Sequence, residues 1–156
     1  MRRGRGFTLI ELVITVALIG LLAALAAPVA ETVVRRSKEQ ELKAALMQIR
    51  DAIDAYKEAA DAGRIAKAAT DSGYPANLDM LASGVVDKAS ASGGKIYFLR
   101  RIPRDPFADA SLPAAQTWGL RASDAPPDAI REGKDLFDVR SLSEGKALDG
   151  SYYKEW

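Results

Sequence analysis

From Leu12 to Ala30, Thr15 is the only residue whose side chain is neither apolar nor the bare hydrogen of glycine. A helix rises about 1.5 Å per residue, so this run spans roughly 28 Å, close to the hydrocarbon core of a bilayer. A short basic leader (Arg2, Arg3, Arg5) precedes it, Glu31 closes it, and one acid, Glu11, stands at its start. Three kinds of segment fit this outline: a signal peptide that is discarded, a plain membrane anchor, and a segment that is retained and works through Glu11.

A signal peptide has a basic start, a short apolar stretch and a small-residue cut site, which Ala24-Leu25-Ala26 would supply. Glu11 lies where such a peptide is uniformly apolar, the run is long for one, and Pro28 sits awkwardly just past the cut. A plain anchor accounts for the length and for a basic flank kept in the cytoplasm. It does not account for Glu11, because an acid within a membrane span costs about 2.5–3.5 kcal/mol and so calls for a partner. Cutting the chain between Gly6 and Phe7 would create one, a free amine about one helical turn before Glu11. In an assembly the same carboxylate could meet that amine on a neighbour.

The string Gly6-Phe7-Thr8-Leu9-Ile10-Glu11-Leu12-Val13 after an Arg-rich leader resembles the class III signal of type IV pilins and type II secretion pseudopilins. The resemblance implies a prepilin peptidase that cuts between Gly6 and Phe7 and methylates the Phe7 amine. It implies an apolar helix that waits in the inner membrane and then forms the core of a homopolymeric filament. It places the family's assembly acid at Glu11 and its helix-kinking proline at Pro28. Proline removes a helical hydrogen bond and clashes with the preceding turn, which a membrane or packed helices tolerate, so a bend at Pro28 is expected.

Beyond Ala30 the pattern becomes one-faced. Leu42, Leu46, Ile49, Ile53, Tyr56 and Ala60 step by threes and fours, with charges filling the other faces. Gly63 is the first plausible stop. The spacing therefore predicts one helix from about Phe7 to Ala62, its first half apolar all round and its second half packed on a globular head.

The stretch Arg64–Gly94 reads as turns around a short helix, Ala76 to Ala82, opened by Pro75 and carrying Leu78 and Leu81 inward. Gly73, Tyr74, Pro75, Leu78 and Leu81 resemble the segment that comes after the long helix in pseudopilins. Lys95–Leu99 is apolar and aromatic, but Pro103 and Pro106 forbid a central strand over Arg100–Phe107. Trp118–Arg121 and Leu136–Leu142 read as two strands. The string Tyr97 to Phe107, with Ile102-Pro103-Arg104-Asp105-Pro106-Phe107 at its end, resembles a signature of the major pseudopilins of type II secretion. The expected fold is α+β and type IV pilin-like: a long N-terminal helix, apolar half protruding and amphipathic half packed, on a small antiparallel β-sheet. The expected organisation is a cleaved leader (1–6), a transmembrane and filament-core helix (7–30), an amphipathic half-helix (31–62) and a periplasmic head (63–156).

Acids gather in the sequence at Asp124, Asp128, Asp138, Glu144 and Asp149, beside Gly145 and Gly150, and oxygen-rich loops of this kind suit calcium. The resembled pseudopilins hold calcium in their C-terminal loop. The corresponding residues here are Leu142 and Ser143 through their carbonyls, Glu144 in place of an aspartate, and Asp149. The alternative is solvated turn carboxylates. An enzyme is not expected: the chain has neither histidine nor cysteine, no phosphate-cradling glycine loop, and a formal charge of only +1, which does not favour nucleic acid. The resemblance implies as partners prepilin peptidase, identical subunits, minor pseudopilins and an inner-membrane assembly platform. Within the family the alternative is a type IV pilin or minor pilin, which usually closes its C-terminal loop with a disulfide. Outside it, the alternative is a single-pass inner-membrane protein with an exported binding domain.

Overall fold

The computed structural model of the protein describes residues 7–68, 70–126, 131 and 133–156, without the side chains of residues 25–28. The chain divides into two compact units, one ending at Ser37 and the other beginning at Lys38. A single helix, α1 (Leu9–Asp61), contributes to both.

In the first unit, the large apolar side chains from Leu9 to Val34 whose exposure is described are all exposed; Leu9, at 82 %, is the most open of them. This part of α1 is long and apolar enough to cross a membrane. Burying a Leu or Ile side chain contributes about 1.5–3 kcal/mol. The described large apolar side chains of this half of α1 remain exposed, so much of that burial is left for other surroundings to supply.

The second unit is organised by the amphipathic half of α1. The predicted stripe is buried throughout: Leu42, Leu46, Ile49, Ile53, Tyr56 and Ala60 are each at most 5 % exposed. Against them pack Leu78, Leu81, Leu99, Trp118, Leu136, Val139 and Tyr153. The helix stops where the glycine was expected to stop it. Gly63 takes φ +73°, its N–H donates to the Ala60 carbonyl, and the Arg64 N–H reaches back to Ala59, the two bonds of a Schellman motif.

The short helix α2 (Leu78–Ser83) begins two residues later than Pro75 suggested, because Asn77 caps it by accepting from the Met80 N–H at 3.1 Å. Among the described residues the small antiparallel β region consists of two two-stranded ribbons. β1 (Val85–Val86) pairs with β2 (Lys95–Ile96), and β3 (Trp118–Arg121) pairs with β4 (Asp138–Ser141). Tyr97 to Leu99 leave the ladder, since the Phe98 and Leu99 N–H groups both donate to the Leu81 carbonyl and bind this segment to α2. The path through Pro103 and Pro106 is irregular, as two prolines require.

Candidate functional site

At the start of α1, Thr8 and Glu11 cap the helix together. The Thr8 hydroxyl accepts from the Glu11 N–H at 3.3 Å, and the Glu11 carboxylate accepts from the Thr8 N–H at 3.5 Å. This is a capping box, with the acid at the positive end of the helix dipole. Its sequence signal is a Thr with a Glu three positions on, which a reading centred on the membrane cost of Glu11 passed over. The carboxylate bond is long and exposed. A cap of this kind contributes about 0.5–2 kcal/mol, less than the roughly 2.5–3.5 kcal/mol an acid costs inside a membrane. The cap holds the Glu11 carboxylate at the start of α1. The Thr15 hydroxyl also donates to the Glu11 carbonyl at 2.7 Å, tying the next turn to the same residue. Phe7 is 81 % exposed directly ahead of this cap. Gly6, the other half of the expected cleavage junction, lies outside the described residues, as does the side chain of Pro28.

The C-terminal loop brings together fewer of its expected ligands. Asp149 Oδ1 accepts from both the N–H (2.9 Å) and the hydroxyl (2.6 Å) of Ser151, bonds that hold its carboxyl below the usual range. The Ser143 hydroxyl accepts from the Gly145 N–H at 3.3 Å, Leu142 is 48 % exposed, and Glu144 is exposed. Asp138 is held between Arg50 (2.8 Å) and Arg121 (3.1 Å), and Asp124 pairs with Arg131 at 3.0 Å. Asp128 lies outside the described residues. Among the described residues no three acidic side chains converge so as to hold a metal ion. Calcium takes roughly six to eight oxygens at once. Of Leu142, Ser143, Glu144 and Asp149 only the last two carry carboxylates, and Asp149 Oδ1 is already engaged by Ser151.

The tail is instead held by residues that sequence reasoning missed, on the charged face of α1. Glu39 Oε1 accepts from the Leu148 N–H and the Tyr153 hydroxyl, both at 2.9 Å. The Lys43 ammonium sits 4.3 Å from the centroid of the Trp156 ring. The Arg50 guanidinium binds Asp138 and the main-chain oxygens of Val139 and Trp156. Positions 39, 43 and 50 repeat at helical spacing, and this was the available signal. Around them Tyr153 stacks on Phe107 at 4.1 Å, and Trp156 meets Tyr153 edge-on at 5.3 Å.

Residues 1–27 match the model of the prokaryotic N-terminal methylation motif. The chain is also 27 % identical to the type II secretion system core protein G of Klebsiella pneumoniae over 152 residues, which cover 94 % of this chain and 99 % of that protein. No solved structure matches it.

Proposed function

We propose that this chain, pilin-like by its methylation motif and similar over nearly its whole length to a type II secretion core protein, builds the shaft of a secretion pseudopilus. The observation that carries this reading is the exposed apolar half of α1 headed by a capped acid, Glu11, inside the matched motif. Prepilin peptidase cuts between Gly6 and Phe7 and methylates Phe7. The segment 7–30 then anchors the subunit in the inner membrane, with the head on the periplasmic side. During assembly the apolar side chains exchange lipid for sister helices, and Glu11 leaves Thr8 to meet the Phe7 amine of a neighbouring subunit. The apolar transfer and helix packing supply most of the energy. The ion pair sets the register, since desolvation offsets much of its attraction. The role is structural rather than enzymatic, and the partners are identical subunits, minor pseudopilins and the assembly platform.

The mature N-terminus tests this reading. Intact-mass and N-terminal analysis of the protein from a prepilin-peptidase-positive host should find methylated Phe7. A chain still beginning at Met1 would indicate a plain anchor, and one beginning at Ala27 a cleaved signal peptide; either overturns the proposal.

A further inference from the structure

The chain's last residues are tied down by a guanidinium that contacts the kinds of oxygen a hard cation would use. Arg50 Nε lies 2.8 Å from Asp138 Oδ1. Its Nη2 donates to the main-chain oxygen of Val139 at 3.0 Å and to that of Trp156 at 2.8 Å. One carboxylate and two main-chain oxygens, from β4 and from the end of the tail, thus converge on one positive charge carried by α1. Asp138 is fixed for this task from its other side, where Arg121 Nη2 lies 3.1 Å from Oδ2, and its Oδ1 also accepts from the Val139 N–H at 2.8 Å. The pair is partly shielded, with the two side chains 37 % and 26 % exposed.

We infer that Arg50, a fixed side-chain charge, closes the C-terminal tail onto α1 and β4, so that tail order in this protein is independent of calcium. Three observations bear on this. Asp149, one of the two acids in the loop, is turned to Ser151. The rest of the tail is held by side chains of the same helix face, Glu39 at Leu148 and Tyr153, and Lys43 over Trp156. The Trp156 indole N–H is satisfied by the Ser151 hydroxyl at 2.8 Å, so the ring that Lys43 covers is anchored at both ends. A guanidinium suits this role because its planar fork reaches a carboxylate and two separate main-chain oxygens at once. A metal exchanges with its surroundings and can be chelated; a side chain cannot.

The test is amide hydrogen exchange on the full-length protein in detergent, with either chelator or excess calcium, for wild type, Arg50→Met and Arg50→Lys. The tail reporters are the N–H groups of Ala147, Tyr153 and Trp156, which donate to Ser151, Gly145 and Tyr153. Wild type should protect them equally in chelator and in calcium. Arg50→Met should speed their exchange about tenfold or more while the Leu42–Tyr56 stretch of α1 keeps its protection, and Arg50→Lys should fall between. Protection in wild type that collapses in chelator would overturn the inference, as would unchanged tail protection in Arg50→Met. If the Met variant does not fold, the chelator comparison on wild type decides alone.

Discussion

Asp105 and Ser141 share a hydrogen bond of 2.5 Å in the interior of the head, where their residues are 2 % and 0 % exposed. Asp105 belongs to the Ile102–Phe107 turn and Ser141 ends β4, so the bond pins an irregular proline-bounded loop to a strand. The same carboxylate accepts from the Phe107 N–H at 2.7 Å, and the Asp105 N–H donates to the buried Thr117 hydroxyl at 3.2 Å. Together these bonds set the turn that aims Phe107 at Tyr153. Asp105→Ala should therefore destabilise the head by about 3 kcal/mol, since it leaves buried donors unmatched, and Asp105→Asn by less. Urea denaturation followed by tryptophan fluorescence checks this; a loss of under about 1 kcal/mol for the alanine variant would show the cluster to be incidental.

The helix was the most legible part of the chain, because its signals are local and repeat. The stripe from Leu42 to Ala60 and the stop at Gly63 both came from spacing and from one residue's conformational freedom. Trp118–Arg121 was also recovered, and Leu136–Leu142 was recovered with its ends trimmed to Asp138–Ser141. What stayed hidden depends on partners distant in sequence. Val85–Val86 is too short to announce itself as a strand, and exists because Lys95–Ile96 comes to lie beside it. Glu39, Lys43 and Arg50 read as an ordinary solvated face until the tail returns to them. Of the acids that form one cluster in the sequence, Asp124 and Asp138 are held by arginines and Asp149 by Ser151. Thr8 and Glu11 are the opposite case: their capping box was legible and was outweighed by the question of what a membrane acid costs.

Gly84 faces the Tyr97 ring. A Cβ placed there would lie 2.7 Å and 2.9 Å from ring carbons, and the backbone stands at φ +79°, ψ 145°, a region that only glycine visits readily. Gly84→Ala should cost about 1–3 kcal/mol, most of it backbone strain, because Tyr97 is 61 % exposed and its ring can swing away. A double variant with Tyr97→Ala separates the two contributions: the penalty should fall only slightly. A penalty that vanished in the double variant would assign it to the ring contact instead.

Acid should loosen the head. The Arg64 guanidinium, helped by the Ala89 N–H, holds the Asp87 carboxyl below its ordinary value of 3.8, and Lys57 and Lys67 do the same for Asp61. A carboxyl with a lowered pKa in the folded state binds fewer protons than in the unfolded chain, so stability rises with pH through that interval. The contribution is whole above the ordinary carboxylate range and drains away as pH falls below about 4. Urea midpoints should be flat from about pH 7 to 5 and fall toward pH 3, and Asp87→Asn should reduce that slope. A midpoint independent of pH down to 3, or one that rose, would refute the assignment.

Glu11 and Thr8 make separable predictions because they act at different moments. In the isolated subunit Thr8 and Glu11 bond to each other, so Thr8→Ala removes a cap worth about 0.5–2 kcal/mol and frays the helix start. The carboxylate survives that change and can still find an amine. Glu11→Ala removes the carboxylate itself, and it eases membrane insertion, because the acid that cost about 2.5–3.5 kcal/mol is gone. Glu11→Gln keeps the shape and a weaker cap but carries no charge. Membrane fractionation with filament shearing should then find Glu11→Ala and Glu11→Gln fully inserted and unassembled, with Thr8→Ala reduced by a lesser factor. If Glu11→Gln assembled as wild type does, hydrogen bonding at the helix start rather than charge would be what assembly requires, and the pairing with a neighbour's Phe7 amine would have to be abandoned.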